Sequence, residues 1–445
     1  MKNEITLAQV LACRERRAEL QAELLRTYHS PLISFTMNIA GPVKVSPLIE
    51  RAFRLGMGML ESKLAPNTIL YKKEEDAVTG YEAMYAVSAN ANDLKNICVS
   101  IEESLSVGRL FDMDVIDRNG SKLDRMGTRS CLVCGAPGRA CAAARSHSVA
   151  QLQEKTKEIL EDFFFHFDKE RVGALAYRCL ADEVQTTPKP GLVDQNNTGS
   201  HRDMNLESFL KSAAVLRPYF ETCFEIGAHS AEDDRTVTFT KLKTAGISAE
   251  QTMLCQTGGV NTHKGMIYSL GLLCGAIGRL WLPHRPFAQS EEFFKEASLI
   301  AEDAAKADLA HADGKTAGER LYLKYKITGI RGQAIEGFPA VRDLALPIFR
   351  SALDRGLDRN RAGVLTLLHL IARVEDTNLY HRGGKEGAAF AKQYAKELLS
   401  KDSLPSEAEV LAMDQAFILR NLSPGGCADL LALTYFLDSL SKERV

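Results

Sequence analysis

Strand-like patterning stops near residue 150, and this single change limits the fold more than any other feature of the chain. Upstream, helical and extended patterns alternate; downstream, apolar residues recur only at helical spacing. A chain that offers only apolar stripes must bury them helix against helix. The sequence therefore predicts an α+β protein overall: a small α/β domain over 1–165 with a mixed sheet, then a larger all-α domain over 166–445. A chain of 445 residues is also too long for one ordinary core. No Gly/Ser linker marks the boundary, which must lie in or near the charged helical pattern at 151–169.

In the first part, 7–25 reads as a charged amphipathic helix and 31–39 as a strand, followed by the turn-rich AGPVKVSP. Residues 81–87 are a second strand candidate. Leu94, Ile97, Cys98, Ile101 and Leu105 have helical spacing. RLFDMDVID (109–117) reads as a strand that turns at Asn119-Gly120, a strong hairpin signal. Helical stripes then follow at 149–167, 171–186, 205–226, 264–282, 362–374, 407–420 and 428–440.

Charge and cysteine usage narrow the class of function. A net charge of −2 gives no general attraction to nucleic acid or an anionic membrane. The apolar run 267–282 carries Arg279 and is too short to span a bilayer, and the N-terminus lacks a signal peptide's apolar core. Most of the ten cysteines, such as Cys98, Cys179, Cys223 and Cys274, sit among apolar residues, as reduced core thiols in a cytoplasmic protein do.

Two features of the first part carry chemistry. In FDMDV the strand period puts Asp112 and Asp114 on one face, where two carboxylates repel unless a cation lies between them. Such a pair suits Mg²⁺ in phosphoryl or nucleotidyl transfer, although an exposed strand face would look the same. Cys131, Cys134, Cys141 and His147 have the residue types of a Cys₃His zinc site, at spacing shorter than in the usual fingers. Interleaved arginines make phosphate binding an equal use for that segment.

The second part concentrates polar groups in a few turns. TPKPGLVDQNNTGSHRDM (187–204) is held between helices by prolines and glycines and is dense in titratable and amide groups. Glu183 lies on the buried stripe that leads into it. QTGGVNTHKG (256–265) opens an apolar helix with backbone amides and Lys264, the makings of an anion site. GIRGQAIEGFPAV (329–341), EDTNLYHRGG (375–384) and NLSPGGCADLLA (421–432) are further glycine-bearing polar segments beside helices. Together they argue for one large polar pocket.

GPVKVSP (41–47), GRLFDMDV (108–115) and RSCLVCGAPGRACAAARSHS (129–148) resemble the CitX family. That resemblance implies a nucleotidyltransferase-like domain that transfers phosphoribosyl-dephospho-CoA to a serine of the apo acyl carrier subunit of citrate lyase and releases pyrophosphate. Asp112 and Asp114 match the family's Asp-x-Asp and would hold Mg²⁺, with Lys44, Arg109 and Arg129 on the triphosphate. The five strings of the second part, in order, resemble the CitG family of triphosphoribosyl-dephospho-CoA synthases, which has a relative in the malonate decarboxylase system. Its implied substrates are ATP and 3′-dephospho-CoA: a CoA-ribose hydroxyl attacks C1 of the ATP ribose, adenine leaves and the triphosphate stays.

That chemistry needs a base, a proton donor and cations. Asp203 or Asp194 is the expected base, with His201 orienting or relaying the proton. Lys189, Lys264, Arg331 and Arg382 would hold phosphates, and Asp376 and Asp429 the Mg²⁺ or sugar hydroxyls, helped by Asn197, Asn261 and Asn378. Glu183 and His263 complete the expected site. Cys427 stands where serine is expected and Gln333 where glutamate is common, which puts both positions in doubt as essential groups. Two other readings stay open: the same chemistry for a malonate decarboxylase carrier, or a non-catalytic scaffold that binds the carrier.

Overall fold

Among the described residues of the first part four strands form, and every pairing is antiparallel, which corrects the expected mixed sheet. In this computed structural model, which describes residues 4–125, 127–285, 287, 290–310 and 317–442, the chain divides into two compact units. The first is 1–167 with 282–286; the second is 168–281 with 287–444. The first begins with α1 (Leu7–Tyr28), β1 (Leu32–Met37) and α2 (Pro47–Lys63). It continues with β2 (Ile69–Ala77), β3 (Gly80–Val87), α3 (Ala91–Ser104), β4 (Phe111–Ile116) and α4 (Gly138–Ala144).

The strand order is β2-β3-β1-β4. A short turn joins β2 to β3, so that pair is a hairpin, and β1 lies antiparallel to both β3 and β4. β2 was not foreseen because ILYKKEEDA lacks a clean apolar face. It is an edge strand, where charged side chains discourage further pairing. α2 was also missed; Ser46 caps it by accepting from the Ile49 amide at 3.2 Å, and Pro47 supplies a preset first turn.

β4 sets the geometry that matters. Phe111, Met113 and Val115 are fully buried, while Asp112 and Asp114 point to the other face, half-buried. Phe111 meets Phe35 edge-on at 5.4 Å between ring centroids, and Phe35 stacks on Phe53 at 4.9 Å. This aromatic packing fixes the strand from behind and so aims both aspartates outward.

The second unit contains, among its described residues, only helices and loops. α5 (Val149–Gln185) joins two predicted stripes into one helix, within which the division between units falls. It is followed by α6 (Leu206–His229), α7 (Arg235–Gln256), α8 (Lys264–Arg279), α9 (Ser290–Ala310), α10 (Ala317–Tyr325) and α11 (Gly329–Ile335). The last five are α12 (Leu346–Asp354), α13 (Arg359–Arg373), α14 (Thr377–Leu399), α15 (Glu407–Leu419) and α16 (Gly425–Lys442).

α8 and α16 are buried nearly all round. α6 crosses α8 at glycine: a Cβ on Gly227 would sit 2.0 Å from the Gly275 carbonyl, and one on Gly278 equally close to that of Phe224. Arg279 ends α8 inside the protein because its guanidinium is satisfied there. It donates to Glu296 at 2.8 Å, Thr238 at 2.6 Å and the Ala231 carbonyl at 2.9 Å. No helix of the described residues is long and apolar enough to cross a membrane.

Candidate active sites

The 187–204 loop is rigid because its own carboxylates and amides are spent holding it. Asp194 accepts from the backbone amides of Lys189 (2.9 Å), Asn196 (2.7 Å) and Asn197 (3.0 Å). From α15, Asp414 accepts from the Gly191 amide at 2.8 Å and the Asn197 side chain at 2.9 Å. Gly191 has φ +70°, and a Cβ there would lie 2.2 Å from the Leu422 carbonyl, so glycine is required. Asp194 and Asn197 thus shape the loop and do not line the neighbouring cavity.

That cavity, of about 1080 Å³, lies in the helical unit. It gathers Glu183, Lys189, His201, Asn261, His263, Lys264, Asp376, Asn378, Arg382 and Asp429 from the predicted strings. Asp203, exposed, and Arg331, half-buried, both lie outside the lining. The wall also includes residues that sequence reasoning missed: Arg373, Lys385, Tyr325, Tyr380 and Ser423. Tyr380 and Lys385 lay in or beside a string already singled out, but nothing local marked their direction.

Three helices begin at this cavity, namely α8, α14 and α16. Their aligned dipoles favour anions. Asp376 joins two of them: Oδ1 caps α14 at the amides of Asn378 (2.7 Å) and Leu379 (3.2 Å), and Oδ2 accepts the Cys427 amide at 2.7 Å. Both of its oxygens are therefore occupied, and burial pushes the carboxyl above its usual range. Arg382 is aimed by the Ser200 carbonyl at 2.9 Å and Asn421 at 3.0 Å.

The titratable groups differ sharply. Lys189, almost fully buried, donates to the Glu183 carboxylate at 2.5 Å and its carbonyl at 2.7 Å. Burial raises Glu183, and Lys189 works against that rise. Asp429 has no hydrogen-bond partner among the described residues. Burial and then the charges of Glu183 and Asp376 push its carboxyl well above the ordinary range. Gly265 makes room for it, since a Cβ there would be 1.9 Å from Asp429 Oδ2.

Both histidines are held below their ordinary range. Burial and Arg382 lower His201 to about 4; Arg382 donates to Nδ1 at 3.0 Å, which leaves Nε2–H to donate to Ser423 Oγ at 2.9 Å. His263, lowered to about 3 by burial and then Lys189, pairs through Nδ1 with Ser212 Oγ at 2.7 Å. Its buried Nε2 has no partner.

An unfolded histidine takes its proton near 6.5, whereas folded His263 refuses it until about 3. Its contribution to stability is therefore present above 6.5 and is lost as pH falls through that window, at about 1.4 kcal/mol per pH unit. Urea unfolding followed by circular dichroism at several pH values should be less steeply acid-sensitive in His263→Asn by about that amount.

The first unit has its own hollow, of about 1420 Å³, with Asp112 and Asp114 in the wall beside Arg109, Lys122, Arg125, Arg129, Arg139 and Arg145. Lys44 does not line it; its Nζ donates to the Ile39 carbonyl. Glu102, buried on α3, accepts the Met113 amide at 2.9 Å, Arg125 at 2.8 Å and Arg129 at 2.6 Å. Arg129 also donates to the Phe111 carbonyl at 2.8 Å, and Arg109 to that of Ser130 at the same distance. Both arginines thus brace the wall. Asp114 pairs with Lys122 at 2.5 Å, while burial and then the Asp114 charge push Asp112 up. Cys131, Cys134, Cys141 and His147 also come together, their ligand atoms all within 4.8 Å of one another.

Two separate hollows, each lined by carboxylates and cations, define a protein that handles anionic ligands at two sites. The model of the ATP:dephospho-CoA triphosphoribosyl transferase family, CitG, matches residues 169–445; that of the apo-citrate lyase phosphoribosyl-dephospho-CoA transferase family, CitX, matches 5–163. "Protein CitXG" of Haemophilus influenzae is 37% identical over 98% of this chain and 96% of its own length. The protein of that name from Leuconostoc mesenteroides is 33% identical over 98% and 97%. A probable 2-(5''-triphosphoribosyl)-3'-dephosphocoenzyme-A synthase of Vibrio cholerae is 41% identical over 60% of this chain and 88% of its own. The chain belongs to the CitXG family, in which a CitX part precedes a CitG part. It is a bifunctional transferase of citrate lyase prosthetic-group biosynthesis.

Proposed function

We propose that the two activities divide at residues 1–165 and 166–445, and that the helical cavity performs the first reaction. There, a ribose hydroxyl of 3′-dephospho-CoA attacks C1 of the ATP ribose. The new C–O bond forms as the bond to adenine breaks, and the triphosphate is retained. The observation that carries this reading is the unpartnered Asp429 carboxyl beside the Lys189-paired Glu183, under three helix N-termini.

Two carboxyls in different settings divide the proton work, as they do in glycoside cleavage. Asp429, whose carboxyl is raised by burial, donates to the departing adenine. Glu183, paired with Lys189, receives the hydroxyl proton. Asp194 and Asp203 leave this role, the first because its oxygens are engaged, the second because it is exposed outside the wall. Lys264, Arg373, Arg382 and Lys385, with the helix N-termini, hold the triphosphate. Tyr325 and Tyr380, 5.4 Å apart, offer flat faces to the adenine.

In the first unit a carrier serine attacks the phosphate nearest the ribose, and pyrophosphate leaves. Asp112 and Asp114 fit Mg²⁺, because they are adjacent, share one face and are only partly neutralised by Lys122. Bound there, the ion would neutralise phosphate charge. Arg139 and Arg145 supply further cations, and Glu102 positions Arg125 and Arg129.

The test is direct. The chain, given ATP, 3′-dephospho-CoA and Mg²⁺, should release adenine in step with a triphosphoribosylated product, and adding the apo citrate lyase carrier should then yield the modified serine with pyrophosphate. No adenine would overturn the reading. Modification of a malonate decarboxylase carrier in preference to the citrate lyase carrier would overturn the choice of acceptor.

A further inference from the structure

The segment around 129–148 is ordered without an apolar core of its own. α4 has no buried residue, and Cys131 is the only buried side chain between Arg129 and Ser148. Exposed helices of seven residues are not stable on their own. Something other than hydrophobic burial must hold this segment in place.

The four potential ligands are arranged around one point. Cys134 Sγ lies 3.5 Å from Cys141 Sγ and 3.2 Å from His147 Nε2, and all four ligand atoms fall within 4.8 Å of one another. A tetrahedral ion with Zn–S of about 2.3 Å and Zn–N of about 2.0 Å sets S–S at about 3.8 Å and S–N at about 3.5 Å, so small side-chain shifts bring these atoms around it. The backbone is shaped to match: Cys131 donates its amide to the Ala136 carbonyl at 2.6 Å, and Gly135, at φ +74°, donates back to the Cys131 carbonyl at 3.1 Å.

We propose that Cys131, Cys134, Cys141 and His147 bind one zinc ion, which staples the 129–148 segment to the wall of the Asp112 hollow. Three thiolates and an imidazole favour zinc among the divalent ions, and four protein ligands leave no open position for chemistry, so the role is structural. The ion holds Arg129, Arg139 and Arg145 on the wall that faces the aspartates. Because metal content is measured without turnover, the proposal stands or falls separately from the catalytic reading.

The full chain, purified under reducing conditions without a metal-affinity step, should carry about one zinc per chain by elemental analysis. Cys134→Ser/Cys141→Ser should carry none and still release adenine, whereas Cys255→Ser should keep its zinc. Cobalt-loaded wild-type protein should show the visible bands of a tetrahedral thiolate site, a reading that survives if the double variant fails to fold. Wild-type protein that takes up neither ion, or a double variant that retains zinc, would overturn the proposal.

Discussion

Asp429→Asn should lower adenine release by about 10²–10⁴-fold, the usual worth of a positioned proton donor. The same variant should transfer a supplied triphosphate intermediate to the carrier at the wild-type rate, because that step belongs to the other unit. A second readout comes from acidity. A buried carboxyl whose pKa is raised on folding contributes stability below its unfolded value, near 3.8, and loses it as pH rises through the folded value. Asparagine removes that loss. The variant should therefore melt higher than wild type at pH 8, with the difference shrinking as pH falls toward 3.8. Full activity in Asp429→Asn would return the donor's role to another wall residue.

Asp112→Asn should have the mirror-image effect. Transfer to the carrier should fall by a comparable factor, about 10²–10⁴, since little but positioning and charge neutralisation drives phosphoryl-type transfer. Adenine release should stay within about twofold, because substitutions in separate units with no shared partner act independently. Mass spectrometry of the carrier and chromatography of adenine read the two halves in one incubation. If either substitution removed both activities, the sites would not be independent.

The contrast between these aspartates and those named in the 187–204 loop shows how far sequence reasoning reached. Asp112 and Asp114 could be oriented from the period of a strand, which fixes direction within a few residues. In the helical unit, the strings that mark the site were readable because glycine and proline are unusual among helices. The roles of their carboxylates were not, because role depends on what each oxygen meets after folding. Asp194 is absorbed by three backbone amides of its own loop. Asp429, in a string marked by its glycines, has no such partner, and only folding places it beside Glu183 and Asp376.

Element prediction failed for similar reasons. β2 is charged because it is an edge, and α7 carries threonines and lysines around a helix with little apolar bias. α14 was hidden by its glycines: the backbone leaves helical geometry at Gly384 (φ 62°, ψ −162°), just where the chain turns Arg382 and Lys385 toward the cavity. Two helical stretches therefore meet across a kink at Gly384.

The sulfur atoms of the helical unit have a practical consequence. Cys179, Cys223, Cys274 and Cys427 are sealed inside it, and burial drives each thiol upward, so none is reactive in the native state. Cys255 alone lies open to reagents. Alkylation at the other four can proceed only from chains that have opened, which gives this half of the protein a built-in, residue-by-residue clock for its own breathing.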